Sequence, residues 1–183
     1  MNNKKILICS YSHKTFFNSG EINNIILGSL KNKKSKNIIQ NISDGGEGIS
    51  LMFNKPEKKI ILYVEDAQML KKKVIIGVYN GRALIEVSKI IGKFDKKFTD
   101  GMYRSSYGIG TAIKQLYLKG IKKFIIGFGG STVSDFGIGL AYSLGIRFYK
   151  DKSKLIQIEG KILNAFKLKK ILRIECRDFF FLN

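Results

Sequence analysis

The sequence predicts an α/β chain in two parts, a parallel, doubly wound lobe followed by a second lobe of mixed α/β structure. Three stretches carry that expectation. The chain opens as apolar run, helical period and second short run, the pattern of a βαβ unit in a parallel sheet. Residues 58–87 then hold three strands with short connections, and Asn80-Gly81 between the last two is a strong hairpin signal. Finally Ile121 to Phe148, IKKFIIGFGGSTVSDFGIGLAYSLGIRF, reads as strand, glycine-rich turn, helix and strand.

Taken in order, Lys5 to Ser10 (KILICS) is a first strand, apolar enough to be buried. After a loop from Tyr11 to Asn18, Glu21 to Leu30 has helical spacing, with Ile22, Ile25, Ile26 and Leu30 on one side and Ser19 placed to cap it. Asn37 to Asn41 is a second short strand, and Glu47 to Phe53 a short helix. Pro56, the single proline, precedes a change of pattern. The lobe boundary is therefore expected there, with residues 1–56 beginning the parallel lobe and 57–183 forming the second. Lys59 to Val64, Val74 to Tyr79 and Arg82 to Val87 are the three strands of an antiparallel segment. Lys93 to Tyr103 is polar and loop-like, and Ile109 to Lys119 is an amphipathic helix. Phe124-Ile125-Ile126 reads as a buried strand ended by Gly129-Gly130. Asp135 is a good N-cap for the helix marked by Ile138, Ala141, Tyr142 and Leu144, and Gly145 is its natural stop. Beyond Tyr149, a strand at Leu155 to Ile158 and a short helix at Ala165 to Leu172 are expected.

Composition narrows the class. A chain of 183 residues with 44% hydrophobic content and a mean hydropathy of −0.04 is expected to be soluble and globular. Only a strand-length apolar stretch follows the charged N-terminus, so neither a signal peptide nor a membrane span is predicted, and the cytoplasm is the expected location. Cys9 and Cys176 lack metal-ligand spacing and are expected to be buried free thiols. The net charge of +19 invites a nucleic-acid reading. Against it, the charge is mostly scattered lysine, with clusters such as Lys71-Lys72-Lys73, and arginines only at 82, 104, 147, 173 and 177. Bidentate base readout prefers arginine. Lysine, isoleucine and asparagine together suggest an AT-rich coding sequence. No nucleic-acid or membrane partner is expected, although a positive field attracts anionic small molecules.

The residues that carry chemistry cluster in the loops. Gly129, Gly130 and Ser131 precede a helix start, where unpaired amides and a partial positive charge suit a phosphate; the alternative is a tight turn with nothing bound. Neither the GxxxxGK[ST] nor the GxGxxG spacing is present. Asp44 and Glu47 flank two glycines. They suit either a Mg²⁺ ion completed by phosphate oxygens or the removal of a hydroxyl proton, the alternative being an Asp-Gly turn with a helix-start glutamate. Glu86, on an apolar strand, either faces a cleft or pairs with a lysine. Arg104 and Lys14 are candidates for anionic groups, or else solvated surface cations. His13, the single histidine, is read as incidental.

Four blocks of this chain resemble, in the same order, those of bacterial glycerate kinases, a family with a two-domain, flavodoxin-like architecture. GFGGSTVSDFGIGLAYSLGIRF is similar to the family's GGSATNDGGAGMLQALGARF, and Asp44-Gly45-Gly46-Glu47-Gly48 to MADGGEGT. Ala83-Leu84-Ile85-Glu86-Val87 resembles AVIEMA, and Ser105-Ser106-Tyr107-Gly108-Ile109-Gly110 resembles SSYGVGELI. A degraded form of DSFKGSLSA spans the first loop: Ser12 and Lys14 match, while Tyr11, His13 and Thr15 stand where aspartate, phenylalanine and glycine are expected. Ser134 and Phe136 replace the asparagine and the first glycine around Asp135.

The resemblance implies ATP-dependent phosphorylation of D-glycerate with Mg²⁺. It places Gly129, Gly130 and Ser131 at the phosphates, Asp44 and Glu47 at the metal, Asp135 as base or second metal carboxylate, Lys14 and Arg104 on anionic groups, and Glu86 among the binding residues. It covers nearly the whole chain but only the N-terminal part of the family's sequence, so both lobes are expected to be incomplete. The alternatives are a truncated non-catalytic relative and, behind it, a basic nucleic-acid-binding domain.

Overall fold

A computed structural model describes residues 4–13, 16–30, 35–92, 104–149 and 173–176. The expected loop at 93–103, strand at 155–158 and helix at 165–172 lie outside these residues, as does Lys14.

The first unit is the predicted βαβ. Strand β1 (Lys4–Ile8) pairs in parallel with β2 (Ser35–Ile39), and α1 (Ser19–Ser29) connects them. The cap of α1 is Asn18 rather than Ser19. Its side chain accepts from the Glu21 amide at 3.0 Å while Glu21 accepts from the Asn18 amide at 2.7 Å, a reciprocal capping box. The helix also buries a different side from the one its isoleucines mark. Ile25 and Ile26 are exposed, and the fully buried side chain is Asn23. Asn23 accepts from the Ser10 amide and hydroxyl and donates to Asn41, so a polar hub ties β1, α1 and the segment after β2 together. A two-stranded sheet offers little apolar surface, and a satisfied polar contact takes the central place. For the same reason Ile8 alone is buried among the described side chains of β1, while Leu7 and Cys9, both expected to be buried, are exposed.

The second unit is a four-stranded sheet in the order β3 (Lys58–Glu65), β4 (Lys71–Tyr79), β5 (Arg82–Glu86), β6 (Lys123–Gly127). Its first two pairings are antiparallel and β5–β6 is parallel. Asn80 and Gly81, with φ of 49° and 69°, form the tight turn between β4 and β5. Side chains alternate along β3 and β4. Leu62, Val64, Val74, Ile76 and Val78 point inward, against Ile109, Ala112, Ile113 and Leu116 of α3 (Tyr107–Leu118). Each such buried aliphatic side chain contributes about 1.5–3 kcal/mol. The opposite face leaves Ile61, Tyr63 and Ile75 exposed. A short helix α2 (Val87–Ile91) follows β5 directly and buries Val87, Ile90 and Ile91 in the same core.

After β6 the chain passes through the glycine-rich turn to α4 (Ile138–Ser143), then β7 (Ile146–Tyr149), which pairs antiparallel with β8 (Arg173–Cys176). Among the described residues the chain is thus α/β, with one parallel pair, one mixed four-stranded sheet and one antiparallel pair. The parallel βαβ unit, the antiparallel segment and the strand–turn–helix–strand arrangement are where the sequence predicts them.

Candidate functional site

Two loops that are far apart in sequence meet through their glycines. The turn Asp44–Gly48 lies against the end of β6, Gly127 to Gly130. The Gly129 amide donates to the Gly45 carbonyl at 3.2 Å. A β-carbon on Gly127 would sit 2.3 Å from the Gly45 carbonyl oxygen, and one on Gly129 would sit 2.4 Å from the Gly46 nitrogen. The contact is backbone on backbone, and only glycine allows it. Within the turn, the Gly46 amide donates to Asp44 Oδ1 at 2.8 Å, a local Asx bond that fixes the carboxylate.

Glu86 secures the far end of that turn. The side chain is buried, and its Oε1 accepts from the Gly48 amide at 2.8 Å. Its Oε2 lies 2.7 Å from Lys89 Nζ, one helical turn on. Both expectations for Glu86 are observed, the lysine pair and a position on the wall of a cavity. The residue lines a separate cavity of about 750 Å³ with Phe53, Lys59 and Tyr79.

The cleft between the loops has a volume of about 800 Å³. Asp44, Glu47, Gly130 and Ser131 all line it, so four of the candidates converge. Tyr11, where the resemblance leads one to expect an aspartate, lines it too. Its hydroxyl hydrogen-bonds the Asp44 carboxylate, and chiefly for that reason the phenol titrates above its ordinary range. Lys72, Ser88 and Lys89 complete the polar wall. The lysine run at 71–73 signals only charge in the sequence. The β-strand alternation is what turns Lys72 the opposite way from its neighbours.

Asp135 does not line this cleft. It is buried, and its two oxygens are filled by the chain itself. Oδ2 accepts from the Ser106 amide at 2.7 Å, the Ser106 hydroxyl at 2.8 Å and the Gly139 amide at 3.1 Å. Oδ1 accepts from the Gly137 amide at 3.0 Å. The Leu140 amide is taken by Ser106 Oγ at 2.9 Å. This arrangement speaks for a clamp between the starts of α3 and α4 rather than for a base. It also occupies the amides expected to receive a phosphate at the start of α4. Phe136, next in the chain, has φ of 54° and is exposed, a left-handed conformation that suits the glycine it replaces.

The glycine-rich loop is held from a third side. Thr132 donates its hydroxyl to the Ile91 carbonyl at 2.7 Å, and Arg104 Nη1 donates to the Thr132 carbonyl at 3.3 Å. Arg104 thus contacts the loop from behind and is not among the cleft-lining residues. Gly129 is engaged with Gly46. Among the described residues no group of three or more metal-ligating side chains is present, and no helix is long and apolar enough to cross a membrane.

Comparison with known proteins adds ancestry to this geometry. A model of the glycerate kinase family matches residues 6–177. A glycerate kinase of Neisseria meningitidis serogroup B is 34% identical over 139 residues, covering 67% of this chain and 34% of that protein. One of Halalkalibacterium halodurans is 29% identical over 140 residues, covering 73% of this chain and 36% of that protein. The fold matches a crystal structure described as glycerate kinase 2 of Salmonella typhimurium LT2 with a TM-score of 0.65 at 22% identity. That match covers 97% of this chain and 49% of that one. The chain therefore spans about a third to a half of the length of the relatives it matches.

Proposed function

Because the chain belongs to the glycerate kinase family, we propose that its cleft serves phosphoryl transfer from ATP to a hydroxyl of D-glycerate. The observation that supports this most directly is the convergence of Asp44 and Glu47 with Gly130 and Ser131 on one cleft. In such a transfer the substrate hydroxyl oxygen bonds to the γ-phosphorus. The bond from that phosphorus to the β–γ bridging oxygen breaks, and ADP leaves with the electron pair. The hydroxyl proton passes to water. The protein's part is positioning and charge stabilisation. Lys72 supplies positive charge on the cleft wall, and Lys14, which matches the family lysine, is assigned to an anionic group of the substrates. Two carboxylates suit Mg²⁺, which is commonly held by one or two carboxylates plus phosphate oxygens. Asp44 and Glu47 would hold it, and it would neutralise charge on the transferred group.

The test is ADP release by the purified chain with Mg-ATP, with and without D-glycerate. Glycerate-dependent release that falls by about 10²-fold in Asp44→Asn is the expected result. Release indifferent to glycerate, or unchanged in Asp44→Asn, overturns the reading.

A second reading, a non-catalytic relative, draws on Tyr11, whose hydroxyl already occupies part of the Asp44 carboxylate. It predicts that Mg-ADP binds without turnover, and that Tyr11→Asp does not create turnover.

A further inference from the structure

The cleft has a second wall that the proposed chemistry leaves unused. Tyr11, His13, Phe16 and Phe17 line it, on the loop between β1 and α1. Phe16 is 74% exposed, Phe17 49% and Tyr11 44%. Single exposed aromatics are ordinary, but several on one wall of one cleft form a patch that invites a ligand.

The wall is held in shape by its own backbone. The His13 amide donates to the Phe17 carbonyl at 2.9 Å, and the Phe16 and Phe17 amides donate back to the His13 carbonyl at 3.1 and 3.2 Å. The His13 and Phe16 rings stand 5.9 Å apart, tilted by 50°. The same cleft is lined by Asp44, Glu47, Lys72, Lys89 and the Gly130–Thr132 turn, with Ser12, Asn18 and Glu21 beside the rings in the chain. Aromatic rings and charged groups therefore share a single cavity.

That combination suits a molecule with a flat ring at one end and anionic groups at the other. D-glycerate has three carbons and no ring, so it cannot use the aromatic side. A nucleotide has both ends, and a cleft of about 800 Å³ is large enough to hold one. Resting on the reading of this cleft as a nucleotide site, we propose that the rings of Tyr11, His13, Phe16 and Phe17 are the platform for the nucleobase, with Phe16 its principal stacking ring. The phosphates then run from this wall toward Lys72 and the Gly130–Thr132 turn. Aromatic stacking on a base is tolerant of base identity, because every base has a π-face. The platform therefore favours nucleotides over inorganic phosphates more than it favours one purine over another.

Phe16 is a suitable residue to change. It contributes little to the core, so Phe16→Ala leaves the fold intact, and it carries no assigned catalytic role. Calorimetric titration of the full chain with Mg-ADP and with Mg-pyrophosphate separates the base from the phosphates. Phe16→Ala is expected to weaken Mg-ADP by about 5- to 100-fold while changing Mg-pyrophosphate by less than twofold. Phe16→Trp is expected to hold Mg-ADP at least as well as the native chain, with quenching of the new indole fluorescence on binding. Equal losses for both ligands, or none for Mg-ADP, overturn the platform. If Mg-ADP still binds and depends on Asp44 in that case, the nucleotide reading of the cleft stands without it. If neither ligand binds the native chain, platform and nucleotide reading fall together.

Discussion

Replacing Asp135 distinguishes a clamp from a catalytic base. In Asp135→Ala, the Ser106, Gly137 and Gly139 amides lose their acceptor in a buried setting. A hydrogen bond to a charged group contributes about 1.5–3 kcal/mol, and a buried amide left unsatisfied costs about 1–3 kcal/mol. These terms share one carboxylate and do not add. A total of about 3–5 kcal/mol is expected, the scale for removing one partner of a buried charged network. That is a large fraction of the roughly 5–15 kcal/mol that holds a domain together. Asp135→Asn should cost less, about 1–2 kcal/mol, because a carboxamide oxygen at the Oδ2 position keeps three donors and only the Gly137 bond is lost. Urea denaturation followed by circular dichroism, with both midpoint and slope fitted, reads these differences. An alanine variant within about 0.5 kcal/mol of the native chain refutes the clamp, since that is the range of an ordinary surface change. An asparagine variant of native stability that loses turnover restores the role of base.

Other substitutions test other parts of the argument. Gly129→Ala places a β-carbon 2.4 Å from the Gly46 nitrogen and 2.5 Å from its Cα, and neither backbone atom can rotate away. The expected cost is about 1–3 kcal/mol, seen as a lower urea midpoint. Gly28→Ala, a helical position with open space around it, is the control and should gain about 0.5–1 kcal/mol. Phe136→Gly should stabilise by up to about 1 kcal/mol by relieving the left-handed backbone, offset in part by the freedom glycine has when unfolded. A lower thermal midpoint in that variant contradicts the strain assignment. Glu65 is held below the usual carboxylate range: burial pushes it up, but hydrogen bonds from Lys71 and Thr111 and the Lys71 charge outweigh that. With the folded value depressed, its contribution is present above the unfolded value of about 4.3 and is lost as pH falls through the folded one. Glu65→Gln should therefore flatten the acid side of the stability profile, and an unchanged slope there removes Glu65 from the account.

What the sequence made legible is what depends on neighbours along the chain. The βαβ spacing, the Asn80-Gly81 hairpin and the strand–turn–helix after Ile121 are local signals, and each element stands within a few residues of its expected place. An Asp before an apolar helical period has the chemistry of a cap, and Asp135 does accept from the Gly137 and Gly139 amides, but it stands two residues before the N-cap of α4, which is Gly137. Its other partner, Ser106, was not legible, because that contact depends on how α3 and α4 pack. The isoleucines of α1 mark a plausible face, but whether a face is buried depends on what is opposite it. A two-stranded sheet with a polar hub at Asn23 left Ile25 and Ile26 outside. Glu86 shows the same limit: a carboxylate on an apolar strand signals a buried partner, but the Gly48 amide, across 38 positions, is visible only in the fold.

The glycine contacts explain why the carboxylate turn and the glycine-rich turn lie together on one cleft. Had side chains separated these loops, their spacing would follow rotamers and could drift by an ångström or more. Here the Gly45 carbonyl, the Gly46 nitrogen and the β6 terminus touch directly, so the backbone fixes the spacing. Reacting groups need to be held within about 0.5 Å of a productive arrangement. Backbone contact, the Asp44 Asx bond and the buried Glu86 acceptor together provide that restraint on one side of the cleft. Asp135 and Thr132 provide it on the other by tying the glycine-rich loop to α3 and α2. A substitution at Gly46 or Gly129 should therefore impair ligand binding twice over, by displacing the backbone contact and because a β-carbon at either position would sit 2.8 Å from Asp44 Oδ1. In this chain Glu86 and Asp135 are placed to act on the proposed site indirectly, Glu86 by holding the Gly48 end of the Asp44–Gly48 turn and Asp135 by tying the glycine-rich loop to the start of α3.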